Sequence, residues 1–337
     1  MGAQELYVGL VGCGLVGNKR ARGLGSNHRL AAVADKDLTR AESLASQHSG
    51  CDYFADWQAV VGHPACEVII VATTNDTLAE VATAAIDRNR PVLIEKPAAR
   101  NSKEIEPLIE IAERNGVPVK VGFNHRFHPA LIQARQIWDT GELGDLMYIR
   151  GRYGHGGRLG YEKEWRADPR IAGGGELLDQ GVHLIDLSRW FAGEFADVDG
   201  YVNTYFWRMP VEDNAFMLLK TIAQQVAWLH ASCTEWKNLF SFEIFGRNGK
   251  LQIDGLGGSY GTERLTYYQM SPEMGPPATV ISEYPESDDS WEMEFAYFID
   301  CIQHGCEPQG NLKDAKAALR IVEALYEKHT SGKSVRL

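Results

Sequence analysis

Cysteine is sparse in this chain, and long apolar runs are missing altogether. The six cysteines, Cys13, Cys51, Cys66, Cys233, Cys301 and Cys306, form no C-x-x-C pair and no zinc-type spacing. That argues against a disulfide framework or a structural zinc and points to a reducing compartment. No apolar stretch approaches the roughly 20 residues that a membrane span needs. The opening Met1-Gly2-Ala3-Gln4-Glu5-Leu6 has no basic leader region, and Leu6 spoils a myristoylation pattern. A cytosolic protein without a membrane role is expected. Positive charge is also in deficit, with 34 Lys and Arg against 45 Asp and Glu, a net charge of −11. A surface that acidic repels phosphate backbones and anionic lipid, which argues against nucleic-acid and membrane partners.

What is present is 337 residues, 44% hydrophobic and 23% charged. That length suggests about two domains, each with a core that needs no metal or disulfide staple. The first third alternates short, fully apolar runs with helical patterns: 6–11, 30–34, 68–72, 91–94 and 117–122 read as strands. Apolar strands separated by helices predict a doubly wound parallel sheet covered on both faces. Beyond about residue 124 the rhythm changes. Strand-like segments at 145–153, 197–207, 213–221, 225–235, 240–245 and 264–269 carry alternating aromatic and β-branched residues. Helices are expected at about 128–139, 175–192, 291–304 and 313–329, and loops at 255–259 and 271–290. The fold class is therefore α/β: a Rossmann domain over residues 1–124, then an α+β domain over 125–337 with a large, mostly antiparallel open sheet. Tyr201, Tyr205, Trp207, Phe216 and Trp228 on that sheet exceed what one helical layer covers. A homodimer or homotetramer is expected.

Gly12-Cys13-Gly14-Leu15-Val16-Gly17 is a G-x-G-x-x-G at a strand-to-helix turn. Glycines there allow a tight turn and close backbone approach, and the helix N-terminus attracts a pyrophosphate. Asp35, 18 residues after Gly17, stands at the tip of the second strand, placed for an adenosine ribose. Its charge favours NAD over NADP, while adjacent Lys36 leaves dual use open. The alternative is a tight turn with no ligand. Lys96, in Glu95-Lys96-Pro97, stands at the carboxyl end of a parallel strand, the edge where ligands bind in open α/β sheets.

Asp179 and His183 are four apart on an expected helix and share a face, as a tuned acid–base pair requires. Asp186 one turn on opens a metal reading, but no second ligand cluster accompanies it; a structural polar stripe is the other alternative. From Arg150 to Arg170, six basic residues, including Arg158 and Lys163, meet three acids. That surplus suits either a phosphate or carboxylate contact or a solvated strand edge with local ion pairs.

Together these motifs, with Gly122-Phe123-Asn124-His125-Arg126-Phe127, Trp165-Arg166 and Phe245-Gly246-Arg247-Asn248-Gly249, resemble the Gfo/Idh/MocA family of glucose–fructose oxidoreductase and inositol dehydrogenase relatives. The resemblance covers essentially the whole chain. It implies hydride transfer between NAD(H) and a sugar, sugar-derivative or polyol carbon, with Lys96 polarising the hydroxyl, His183 exchanging its proton and Asp179 in support. It also implies that Thr73, Thr74, Asn75, Glu95, Asn124, Trp165 and Arg166 surround the cofactor, and that Arg126 and Tyr153 join the substrate contacts. One departure is Leu78, where many relatives carry histidine. Within that activity a free inositol or polyol and a nucleotide-linked sugar are the alternatives, and the basic 150–170 segment leans towards the anionic one; a non-catalytic NAD-binding sensor is the other class, against which Lys96, Asp179 and His183 together argue.

Overall fold

The strands of the first third pair as their apolar composition requires. In a computed structural model, which describes residues 5–331, β1 (Leu6–Val11), α1 (Leu15–Arg22), β2 (His28–Ala34), α2 (Leu38–Ala45), β3 (Asp52–Phe54), α3 (Trp57–Val61), β4 (Val68–Val71), α4 (Asn75–Ile86), β5 (Val92–Ile94), α5 (Ser102–Asn115) and β6 (Val119–Val121) follow one another. All six strands are parallel, in the order β3-β2-β1-β4-β5-β6. The order reverses at β1, which makes its carboxyl end the switch point where such sheets bind ligands. Val8, Leu10, Val33, Ile70 and Leu93 form the core and are essentially inaccessible to solvent.

The second sheet follows α6 (Pro129–Asp139). It contains β7 (Leu146–Gly154), β8 (Phe195–Asn203), β9 (Asn214–Thr221), β10 (Val226–Ser232), β11 (Leu239–Gly246), β12 (Gly249–Asp254), β13 (Glu263–Gln269) and β14 (Ala278–Tyr284). Their order is β14-β13-β12-β11-β7-β10-β9-β8, and only β7 and β10 pair in parallel. Between β7 and β8 lie α7 (Pro169–Ala172), a π-helical turn (Leu177–Gly181) and α8 (Val182–Ala192). Two helices close the chain, α9 (Ser290–His304) and α10 (Leu312–Ser331). Alternation decides the sheet's two faces. Ala227, Leu229 and Ala231 are buried, while Trp228 between them is 46% exposed and pairs with half-exposed Leu218.

Compact packing divides the chain into residues 1–124 with 170–173 and 291–317, and residues 125–169 with 174–290 and 318–337. The expected boundary at 124 therefore lacks the return of α9, whose Phe295, Phe298 and Ile299 sit in the core of the first unit. Three local expectations change. Residues 204–207 leave the strand because the Asp213 carboxylate accepts hydrogen bonds from the amides of Tyr205, Phe206 and Trp207, which bends them around it. The expected loop at 271–290 contains β14, an edge strand paired with β13 from Gln269↔Ala278 to Glu263↔Tyr284. The helix expected from 175 opens as a π turn, which inserts one residue into the hydrogen-bond ladder. Among the described residues, no helix is long and apolar enough to cross a membrane.

Candidate active site

Each glycine of the first loop has a separate reason to be there. Gly12 has φ +96°, and a Cβ there would lie 2.3 Å from the Ala72 carbonyl oxygen. A Cβ on Gly17 would lie 1.9 Å from the Gly12 oxygen. Nothing lies within 4 Å of a Cβ built on Gly14, the residue that caps α1 without any side-chain hydrogen bond. Two glycines therefore close the turn, and the third keeps space open at a helix N-terminus whose first turn holds no acid, the arrangement a pyrophosphate fits. Asn18 ties the loop down by donating to the carbonyls of Cys13 and Gly14.

Half-buried Asp35 follows β2, and its Oδ2 accepts the Cys13 amide at 2.8 Å while Oδ1 accepts that of Asp37 at 2.9 Å. The carboxylate thus faces the glycine loop; Leu15 and Lys36 are exposed. Burial, then the charge of Asp35, pushes the Cys13 thiol up to about 12, so Cys13 offers its amide and not a thiolate.

The remaining carboxyl-edge residues follow β4, β5 and β6. Thr74 caps α4 and donates to Asp76 at 2.6 Å; Thr73 donates to the Thr74 carbonyl at 3.2 Å. Asn75 donates to the Ala172 carbonyl at 2.8 Å, which anchors the 170–173 segment. Leu78, where many relatives are expected to carry histidine, is fully buried in the core. Lys96 is half-buried beyond β5, and Asn124 is buried beyond β6. Glu95, expected near the cofactor, is held in a buried ion-pair cluster: its Oε1 accepts Arg20 Nε at 2.6 Å. Arg20 also meets Glu294 at 2.6 Å, and Glu294 meets Lys120 at 2.7 Å. Gly122 leaves room for this pair, since a Cβ there would lie 2.5 Å from Arg20 Nη2 and 3.0 Å from Glu95 Oε1.

The second unit brings another group together. His183, 4% exposed, stacks on His125 with ring centroids 3.8 Å apart. The Tyr153 ring meets both, at 5.0 Å from His125 and 6.1 Å from His183. Burial, then Tyr260, raises the Tyr153 hydroxyl well above its ordinary range, so it stays protonated and able to donate. Asp179 accepts Arg166 Nε at 3.0 Å, and the guanidinium lies over Trp165, 4.5 Å from its ring centre. Burial disfavours charge on Arg166, but Asp179, Tyr161 and Glu164 together outweigh it, so the net shift is upward.

Arg126, expected among the substrate contacts, forks onto Asp186 at 2.6 and 2.8 Å and is buried with it. This bidentate pair positions α8, and it also gives Asp186 a role other than metal ligand. In the basic segment, Arg150 meets Glu243 at 2.9 Å and Arg158 meets Glu164 at 2.6 Å, while Lys163 is exposed.

Glu176, Tyr161 and Glu212 escaped the sequence reading. Tyr161 donates to Glu176 at 2.8 Å; Glu212 accepts the amides of Gly175 and Leu177 and the Tyr326 hydroxyl. Glu212 is 35 residues away from Leu177 in sequence, so no local pattern could reveal it. His125 was within reach, since it lies inside the Asn124-His125-Arg126 motif.

Residues 6–123 match the family model described as "Oxidoreductase family, NAD-binding Rossmann fold", and residues 131–252 match the "GFO/IDH/MocA C-terminal domain". Levoglucosan dehydrogenase of Pseudarthrobacter phenanthrenivorans is 27% identical over 65% of this chain and 59% of its own length. Inositol 2-dehydrogenase 2 of Saccharopolyspora erythraea is 30% identical over 64% of this chain and 63% of its own. The chain thus spans about three-fifths of those two curated relatives. The scyllo-inositol 2-dehydrogenase (NAD(+)) of Bacillus subtilis is 23% identical over 99% of this chain and 96% of its own length. A solved levoglucosan dehydrogenase in complex with NADH and L-sorbose shares the fold, with a TM-score of 0.86 at 22% identity over 97% of both chains. With an NAD-binding Rossmann domain over residues 6–123 and the matching C-terminal domain behind it, the chain belongs to the Gfo/Idh/MocA family of oxidoreductases.

Proposed function

We propose that the protein is an NAD(H)-dependent dehydrogenase acting on a secondary hydroxyl, or in reverse the ketone, of a sugar, sugar derivative or cyclitol. The observation that carries this reading is buried His183, held against His125 and Tyr153 in a member of an oxidoreductase family. A sensor that only bound NAD would need no such group. The names of the relatives, levoglucosan and inositol dehydrogenases, support a hydroxylated ring as substrate.

When bound, NAD supplies the hydride acceptor. The chain supplies the rest. Amides at the start of α1 would hold the pyrophosphate, and Asp35 would accept hydrogen bonds from the ribose and repel a 2′-phosphate. Lys96 polarises the reacting hydroxyl and stabilises negative charge as it develops on that oxygen. His183 takes the hydroxyl proton, and Asp179, itself braced by Arg166, supports that exchange. Arg126 acts through Asp186 as a positioning residue for α8.

An uncharged ring is the favoured substrate over a nucleotide-linked one. Three of the six basic residues between 150 and 170 already have acid partners at 3.0 Å or less, Arg150, Arg158 and Arg166. Homo-oligomers would form through the exposed sheet face that carries Tyr148, Tyr201, Leu218 and Trp228. A cytosolic location fits six free thiols.

The test is the near-ultraviolet absorbance of NADH on mixing protein and NAD+ with levoglucosan, inositols, aldoses and nucleotide-linked sugars. Turnover of a neutral ring is expected. Silence across the panel with both NAD+ and NADP+ would leave the sensor reading standing.

A further inference from the structure

The C-terminus of α9 brings two thiols together. Gly305 follows the helix with φ +65°, and the Cys306 amide donates to the Cys301 carbonyl at 3.0 Å. The Gly305 amide donates to the Ile302 carbonyl at 3.4 Å. This pair of bonds is the helix stop in which the second residue past the cap folds back over the last turn and touches the side chain five positions earlier. Here both side chains are cysteines. The fold-back sets the Cys306 thiol beside that of Cys301 at the end of the helix. On a continuous helix, residues five apart diverge; the left-handed glycine is what closes the gap.

The pair also opens onto a cleft of about 450 Å³, lined by Pro91, Ile109, Val117 and Ile302 alongside both cysteines. Pro91 and Val117 precede β5 and β6, so the cleft lies at the amino edge of the parallel sheet, opposite the glycine loop and Lys96. Cys306 is exposed and Cys301 is 1% exposed. One thiol is open to a reagent, and its resolving partner is sheltered beside it.

We propose that Cys301 and Cys306 are a reversible oxidation site that forms an intramolecular disulfide with hydrogen peroxide as oxidant. Glu113 and Glu307 at the cleft outnumber Lys313, which pairs with Glu113 at 2.9 Å and lies 3.9 Å from Glu307, and the remaining negative charge favours a small neutral peroxide over an anionic disulfide oxidant. The Cys306 thiolate attacks one peroxide oxygen; the O–O bond breaks, leaving a sulfenic acid on Cys306 and releasing hydroxide. The Cys301 sulfur then attacks the Cys306 sulfur, the S–O bond breaks, and water leaves with the Cys301 proton. In sum, two thiols lose two electrons and two protons, and one peroxide becomes two waters. Burial pushes the Cys301 thiol up to about 11, so this second step quickens as pH rises. The disulfide protects Cys306 from irreversible further oxidation, and a dithiol reductant restores both thiols.

The test treats the reduced full-length protein with hydrogen peroxide, removes the excess with catalase, and maps peptides after alkylation. Wild type is expected to give a 301–306 link short of two hydrogens and reversed by dithiothreitol. In Cys301→Ser the sulfenic acid on Cys306 has no resolving thiol, and its capture by dimedone should rise roughly tenfold over wild type. Equal dimedone capture in both proteins, no oxidation at Cys306, or a Cys306–Cys306 link between chains would overturn the proposal.

Discussion

His183 lies face to face with His125, the ring centroids 3.8 Å apart and the planes inclined by 23°. Two imidazoles stacked that closely repel when both are protonated, so the pair favours a neutral ring able to accept a proton. Replacing His183 with alanine should lower kcat by about 10²–10⁴-fold, the ordinary contribution of general acid–base catalysis. The rise of the oxidation rate with pH should flatten at the same time. Asp179→Asn should fall between wild type and His183→Ala. Near-wild-type turnover with an unchanged pH profile in His183→Ala would remove His183 from the site.

Lys96 tests a different contribution. Its ammonium stabilises charge that appears on the reacting oxygen, which a neutral side chain of similar length cannot do. Lys96→Met should cost kcat about 10²-fold while NADH binding, followed by its fluorescence, stays nearly intact. Equal losses in NADH affinity and turnover would make Lys96 a cofactor residue instead.

Cofactor choice should follow Asp35. The carboxylate that accepts the Cys13 amide would face a phosphate dianion if NADP bound. That clash should disfavour NADP by a few kcal/mol, on the order of 10²-fold in kcat/KM. Asp35→Ser should shrink the ratio, and equal kcat/KM for both cofactors in wild type would sink the assignment.

Glu212 should matter for stability before chemistry. Its carboxylate accepts the amides of Gly175 and Leu177 and the Tyr326 hydroxyl, and Glu212→Ala strands those buried donors. The expected loss is about 3 kcal/mol, read as a lower midpoint in urea, with Glu212→Gln milder. A midpoint unchanged in Glu212→Ala would show that water replaces the carboxylate without cost.

Acid should destabilise the fold through its histidines. Burial lowers the pKa of His155 and of His230 below the ordinary value of 6.5. Their neutral forms are favoured in the folded state, so the unfolded chain binds more protons as pH drops below about 6.5. Stability is therefore full above that pH and is lost as pH falls from the unfolded value towards the depressed folded ones. His230→Gln should flatten part of this slope in melting temperatures taken between about pH 5 and 7. An identical slope would assign the effect elsewhere.

Much of this was legible because it depends on local pattern. Fully apolar strands, glycines at a strand-to-helix turn and an acid at the tip of β2 report the parallel sheet and its loop by spacing alone. What stayed hidden depends on partners far along the chain. The pairing of Arg20 with both Glu95 and Glu294, and the fork of Arg126 onto Asp186, leave no trace in local spacing. Tyr205 and Trp207 read as strand until the carboxylate of Asp213 turns them. Edge strand β14, with Val280 and Ile281 exposed and proline and glycine before it, resembles a loop because its backbone pairing leaves no burial pattern.

Glu294 lies 274 residues beyond Arg20, and this separation bears on how the chain is made. During synthesis the first 124 residues emerge with all six parallel strands, but with Arg20 and Lys120 still waiting for the carboxylate that meets them both. Phe295 and Phe298, which fill the same core, are also still to come. An arginine with only Glu95 to meet it, a buried lysine without this carboxylate and an unfilled core are costly, so the nascent Rossmann unit would stay loose on the ribosome until residues 294–299 have been translated. A fragment ending at Asn124 would inherit that looseness permanently, and adding back a peptide spanning 291–317 in trans is the natural way to tighten it.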